Sequence, residues 1–362
     1  MNSNHFNYFR VKNFKRFKDL EVKDIGQFNL VLGDNNVGKT SLLEALMWER
    51  VEESSGDWLS EKTVIAPFLS YLIKSFCFKN FGDPSSFLDY FISLDDQADR
   101  SMEFFDQFSG HAEVYTAKKR GVISVSSKEF IPDSGSFGNE WDFQIVSELN
   151  TKNQESTSAT RVVIEEEVQS TIVPLLPFQR SYDEEITEFY LENIQGNKSL
   201  KNSYVKSLRV LFPEIEDVEP SLIGHHKSLL INRTTSNHSL PLGYFGEGTI
   251  KMAKILSYLI KFNSKKLMID EIDTGIHYSR MKDYWKVILQ SARENDVQLF
   301  ATTHNRECME GFQAALEELG ADYTSEARAI TLKQSPKTGD IVAFTNSFEV
   351  LDDALEIGND LR

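Results

Sequence analysis

The chain has 362 residues, 40% hydrophobic and 26% charged, with a formal net charge of −16. That balance suits a folded protein with a sizeable core rather than a disordered or fibrous chain, and the acidity argues against a uniformly basic nucleic-acid surface. The opening residues Met1 to His5 are polar and no stretch approaches the roughly 18 uninterrupted apolar residues of a membrane span, so neither a secretory leader nor a membrane association is expected.

The first elements read as strands. Phe6, Tyr8 and Arg10 alternate with Asn7, Phe9 and Val11, and Leu20 to Ile25 makes a second short candidate. Lys12, Lys15, Arg16 and Lys18 form a local basic cluster here, as Lys118, Lys119 and Arg120 do later; such clusters are more often ordinary surface than nucleic-acid sites. Phe28 to Leu32 is a third strand that runs into Gly33, and Thr40 to Glu52 spaces Leu42, Leu43, Ala45, Leu46 and Trp48 for a helix lying on a sheet.

Between that strand and helix stands Gly33-Asp34-Asn35-Asn36-Val37-Gly38-Lys39-Thr40, which fits the phosphate-loop pattern G-x-x-x-x-G-K-[ST]. Glycines let successive backbone N–H groups surround phosphate oxygens, and the helix N-terminus adds its positive end. In this chemistry Lys39 bridges the β- and γ-phosphates of ATP and the Thr40 hydroxyl takes Mg2+, while Ser41 belongs to the first helical turn.

Residues 53 to 245 are less regular. Val64 to Phe81 reads as a helix, with strand candidates at Gly121 to Val125, Trp141 to Val146 and Arg161 to Val168. Ser181 to Leu211 turns helical, and Pro213 and Pro220 interrupt the segment beyond it. No sustained heptad pattern marks a long coiled coil. His225 and His226 are adjacent, cannot share a helix face and have no acid or cysteine to complete a metal set; they read as surface or lobe contacts.

Periodicity sharpens from Gly246-Glu247-Gly248-Thr249, which precedes an amphipathic helix carrying Ile250, Ala253, Ile255, Leu256, Leu259 and Ile260. Such a loop can offer N–H groups to phosphate or simply make a tight turn. Leu267 to Ile269 is a buried strand ending in Asp270-Glu271: alone this would equally suit a helix cap, but beside Lys39 it supplies Asp270 for Mg2+ and Glu271 for the attacking water. Tyr278 to Ala292 is a helix, with His277 before it as an interface residue. Val297 to Thr302 is a strand leading to His304, which either contacts a γ-phosphate or is a structural histidine. Arg306 to Leu319 is a helix, and strands near Ala327 to Leu332 and Asp340 to Phe344 close the sheet. This alternation implies a largely parallel sheet with its ligand at the carboxyl ends of the strands. The two cysteines, Cys77 and Cys308, lack metal-ligand spacing and fit a reduced cytoplasmic compartment.

Taken together, these motifs resemble an ABC-type ATPase of the RecF/SMC and OLD-like branch: phosphate loop at 33–40, signature-like loop at 245–249, acidic strand end at 267–271, D-loop at 272–276 and switch histidine at 304. Val11-Lys12-Asn13-Phe14-Lys15-Arg16-Phe17 resembles that branch's opening strand and turn, which implies that Lys15 or Arg16 approaches nucleotide phosphate. The resemblance implies an α/β P-loop NTPase with an ABC-type head: a mixed sheet flanked by helices, formed by residues 1–52 and 240–362, with residues 53–239 as an inserted α/β or helical lobe folding back on it. It further implies a homodimer, or a higher oligomer built from it, in which ATP on one subunit meets Gly246, Glu247 and Gly248 of its mate. Two departures stand out: Gly246 occupies the usual signature serine position, and the metal-sensing glutamine is unplaced, with Gln144 and Gln179 as candidates and Arg180 beside the latter. Only 58 residues follow His304, so the TOPRIM nuclease of full-length OLD proteins is not expected. Regulation of a protein partner in bacterial anti-phage defence is the leading expectation; a non-hydrolysing nucleotide switch or scaffold and a DNA-end sensing or repair ATPase are the alternatives.

Overall fold

Strand-period alternation, apolar on both faces, builds the centre of the molecule. The computed structural model describes residues 5–47, 101–106, 111–118, 122–131, 136–146, 175–176, 183–223, 226–261 and 266–357. The helix expected over Val64 to Phe81, the strand over Arg161 to Val168, the end of the helix expected to reach Glu52, and Cys77, Gln179, Arg180 and His225 lie outside the described residues.

The central sheet contains β3 (Phe28–Gly33), β8 (Leu175–Leu176), β12 (Lys266–Ile269), β13 (Gln298–Thr302), β14 (Ala327–Gln334) and β15 (Ile341–Ser347). Its order is β15-β14-β3-β13-β12-β8, parallel throughout except for β15, so the sheet is mixed as expected. Phe28, Leu30, Leu32, Leu267, Ile269, Leu299 and Ala301 face one buried cluster, whereas Val31, Met268, Phe300, Ile330 and Leu332 face another. A strand buried on both faces needs such a continuous apolar run, and each fully buried large side chain contributes about 1.5–3 kcal/mol.

The second cluster is closed by an antiparallel sheet and by helix α1 (Lys39–Leu46). That sheet joins the hairpin β1 (Phe9–Phe14) and β2 (Phe17–Val22) to β4 (Ser101–Asp106), β5 (His111–Lys118), β6 (Val122–Ile131) and β7 (Ser136–Val146), in the order β2-β1-β4-β5-β6-β7. From Val122 on, the short strand expected at 121–125 is part of the longer β6, and the one expected at 141–146 is part of β7; Gly121 lies outside the described residues. The strand expected from Phe6 starts at Phe9, and the one expected over Leu20 to Ile25 runs instead from Phe17 to Val22, because pairing of Phe14 with Phe17 fixes the hairpin register.

The first cluster is covered by helices α2 (Asp183–Phe189), extended through a π-helical turn at Tyr190–Ile194, α3 (Lys198–Leu211), α4 (Glu247–Lys261), α5 (Met281–Glu294) and α6 (Arg306–Leu319). A short α7 (Ala321–Thr324) and a C-terminal α8 (Phe348–Ile357) complete the helices. Tyr278–Arg280 forms a 3₁₀ turn before α5, not the first turn of the helix expected there. Sequence periodicity also missed α8 and a three-stranded antiparallel sheet of β9 (Ile215–Ile223), β10 (His226–Arg233) and β11 (Ser236–Pro241). Pro220, read as an interruption, lies within β9, an edge strand that tolerates the missing N–H.

Candidate functional site

The carboxyl ends of β3, β12 and β13 lie side by side, with β13 between the other two. Residues 33–40, 270–271 and 302–304 follow these three ends and therefore converge although they are far apart in sequence.

The phosphate loop needs its glycines for two separate reasons. Gly33 has φ +138°, and a Cβ there would lie 2.5 Å from the Leu332 carbonyl oxygen; Gly38 has φ +99°, and its Cβ would lie 2.9 Å from the buried Phe17 ring. Phe17 thus supports the loop from the N-terminal hairpin. Asn36 also adopts a left-handed backbone, φ +67°. The Lys39 ammonium donates to the carbonyl oxygens of Gly33 at 2.7 Å and Asp34 at 2.9 Å, spanning the loop it is expected to fill with phosphate. Asp34, Asn35 and Asn36 are exposed at the loop's rim, while Val37 packs beneath it. Thr40 and Ser41 stand in the first turn of α1.

Asp270 links the two halves of the site. Its Oδ2 accepts from the Thr40 hydroxyl at 2.9 Å across 230 positions, and its Oδ1 accepts from the Thr302 hydroxyl at 2.6 Å. The Thr302 oxygen in turn accepts the Glu271 N–H at 2.8 Å. Glu271 has φ +46°, a conformation a non-glycine residue holds only where its surroundings impose it. Its carbonyl accepts from the Lys251 ammonium on α4. Burial pushes Lys251 down to about 8, opposed by the negative field of the Asp273, Glu271 and Asp270 carboxylates.

The segment after Glu271 is held as closely. Thr303 donates to Asp273 at 2.7 Å, the Tyr284 hydroxyl donates to the Ile272 carbonyl at 3.1 Å, and the Ile272 N–H reaches the Thr302 carbonyl at 3.0 Å. Gly248, at the start of α4, touches this segment directly: a Cβ would sit 2.6 Å from the Gly275 carbonyl oxygen. Gly246 has φ +87° with open space around its Cα, and Glu247 begins α4. His304 is exposed just beyond β13.

The structure therefore brings Lys39, Thr40, Asp270 and Glu271 together at neighbouring strand ends, places His304 at the adjacent strand end, and sets Glu247 and Gly248 against Gly275, with Gly246 just before them in open space. Lys15 lies in the β1–β2 turn with φ +51°, its ammonium engaged by the buried Glu44 carboxylate of α1; Arg16 beside it is exposed. His277 caps the 3₁₀ turn by accepting from the Ser279 N–H at 3.3 Å, and His226 is exposed at the start of β10. Gln144 falls in β7. Among the described residues, no group of three or more His, Cys, Asp or Glu could hold a metal by itself. Sequence reasoning missed Lys251, Thr302, Thr303 and Tyr284; the paired threonines ahead of His304 were the only local signal, since the targets of all four are set by the tertiary fold.

A family profile described as "AAA domain, putative AbiEii toxin, Type IV TA system" matches residues 28–310. A protein of Helicobacter pylori named "ATP/GTP phosphatase" is 22% identical over 344 residues, covering 90% of this chain and 91% of its own. An uncharacterised protein of Methanocaldococcus jannaschii is 23% identical over 210 residues, 58% of this chain and 88% of its own. Among solved structures, the SMC head bound to the C-terminal winged-helix domain of ScpA overlays with a TM-score of 0.49 at 13% identity, covering 96% of this chain and 99% of that one.

Proposed function

The chain belongs to this AAA domain family, and on that footing we propose that it binds Mg2+ and ATP at residues 33–41 and 270–271 and hydrolyses the nucleotide between two head-to-head copies. It is a P-loop ATPase of α/β fold. The observation that carries the site assignment is the 2.9 Å hydrogen bond from Thr40 to Asp270, which brings a phosphate-loop hydroxyl onto the carboxylate of a distant strand end beside Lys39.

In the proposed reaction the backbone of residues 33–40 cradles the phosphates, and Lys39 exchanges the Gly33 and Asp34 carbonyls for β- and γ-phosphate oxygens. Thr40 and Asp270 suit Mg2+: two hard oxygen donors are what this ion takes from a protein when phosphate and water complete its shell. When bound, the ion would neutralise charge on the phosphate oxygens. Glu271 orients a water and accepts its proton as the water oxygen bonds to the γ-phosphorus and the bond to the β–γ bridging oxygen breaks, releasing ADP and phosphate. His304 contacts the γ-phosphate and senses its loss. Lys15 anchors the hairpin turn on α1, and Arg16 beside it is an exposed cation that can approach phosphate.

The finer assignment is to the RecF/SMC and OLD-like branch of ABC-type ATPases. Residues 1–52 and 240–362 form the core and 53–239 an inserted lobe folding back on it. Its support is that α2, α3, β9 and β10 share one buried cluster with α4, α5 and α6. The dimer would bring Gly246 to Gly248 of one copy to the ATP of the other, with N–H groups and the helix end acting where a serine hydroxyl is absent. A protein effector, controlled in the cytoplasm as part of anti-phage defence, is the partner we favour, in keeping with the toxin–antitoxin wording of the family. No described helix is long and apolar enough to cross a membrane.

ATP turnover of the full chain with Mg2+ tests this reading. Glu271→Gln should retain ATP binding while turnover falls by about 10²–10⁴-fold, and Lys39→Ala should lose about 10²-fold or more. Chelation with EDTA should abolish the wild-type rate. Equal rates in all three proteins would remove the catalytic assignment.

A further inference from the structure

We infer that Lys251 is a positioning residue through which helix α4 transmits the state of its own N-terminal turn, Gly246 to Thr249, to Glu271, a role that rests on the hydrolytic reading of the site. Lys251 stands three residues beyond Gly248, on the same side of α4. The helix therefore grips the acidic loop at two places. At its first turn, backbone lies on backbone, with no room for a Cβ on Gly248 beside the Gly275 carbonyl. Less than one turn later the Lys251 ammonium binds the Glu271 carbonyl.

Those contacts complete a clamp around a single residue. The Glu271 N–H is held by Thr302 at 2.8 Å and its carbonyl by Lys251, while its backbone sits in the left-handed region. A left-handed glutamate persists only when both flanking peptides are fixed, and fixing them sets the direction in which its carboxylate leaves the chain. Thr302 belongs to the sheet and does not move with α4. Lys251 does, so displacement of the first turn of α4 is converted into rotation of the peptide following Glu271.

Packing alone does not explain a lysine here. Desolvation weakens the charged form, and a methionine would fill the same space without that penalty. What a methionine lacks is the donor to the Glu271 carbonyl. The positioning role and a purely structural role therefore separate once turnover is counted per ATP-binding site: misdirecting the base lowers kcat per site, whereas loosening the fold lowers the number of sites.

Steady-state ATP turnover, normalised to the ATP-binding sites titrated in each preparation, should be measured for the wild-type chain, Lys251→Met and Lys251→Arg, with thermal melts alongside. The expected result for Lys251→Met is a kcat lower by about 10–100-fold with KM within about threefold of wild type. Lys251→Arg, which keeps a donor but shifts it, should fall between the two. Wild-type kcat in a folded Lys251→Met protein overturns the inference and leaves the ATPase reading standing. An inactive wild type overturns both. If Lys251→Met does not fold, Lys251→Arg decides: a reduced kcat at unchanged KM supports the role, and an unchanged kcat rejects it.

Discussion

Asp270 gives one carboxylate oxygen to Thr40 and the other to Thr302, so a single side chain couples the phosphate loop to the central strand. Charge-assisted hydrogen bonds of this kind hold the carboxylate in place before any ligand arrives. Behind this pair, Cys308 marks how completely the helix layer excludes solvent. It is fully buried on α6, the Trp285 indole donates to its carbonyl at 3.0 Å, and burial, with Asp273 nearby, pushes its thiol up to about 12. Only the thiolate is nucleophilic, so at pH 8 the reactive fraction is on the order of 10⁻⁴, against roughly a quarter for an ordinary thiol. Native protein treated with iodoacetamide at pH 8 should carry no label at Cys308 by peptide mass spectrometry, and denatured protein should be fully labelled there. Rapid labelling of the native chain would mean that α5 and α6 do not close over this position.

The contact between α4 and the 272–276 segment is an element-scale feature, because backbone meets backbone and neither side can yield by changing a rotamer. Gly248→Ala places a methyl 2.6 Å from the Gly275 carbonyl oxygen and 2.9 Å from Ile276 Cδ1. Overpacking of this kind costs about 1–3 kcal/mol, and urea titration should report that loss in unfolding free energy. A variant as stable as wild type would show that the helix end and the loop are not in contact. The same scale explains what could be read from sequence. Strands β3, β12 and β13 carry short, mostly apolar runs that lead into Gly33, Asp270 and Thr302, so their identity and the residues after them were legible. The three-stranded sheet was not: β9 buries only Ile215 and Val218, its remaining residues are partly or fully exposed, and Pro220 suggested a break. Lys251 was invisible for a different reason. On a helical wheel it is one polar residue on an amphipathic helix, and its target, a backbone carbonyl 20 positions away, has no sequence signature.

At the scale of the whole molecule, net charge and the proposed closure act against each other. Each copy carries a formal charge of −16, so two copies repel at long range and association must come from short-range contacts and from nucleotide shared between them. The surface beside the α4 loop has such contacts to offer, since Tyr244 is 78% exposed and Tyr278 is 66% exposed, the latter packed on the His277 ring. Screening shortens the repulsion while leaving apolar and aromatic contacts in place. Glu271→Gln with ATP and Mg2+ should therefore run at twice the monomer mass in light scattering. The dimer fraction should rise as ionic strength increases from about 10 mM to about 150 mM, over which the Debye length falls from about 30 to 8 Å. Lys39→Ala should remain monomeric under every condition. A mass that ignores nucleotide would exclude closure around ATP, and a dimer that dissociates as salt rises would place complementary charges, not the tyrosines and shared nucleotide, at its interface.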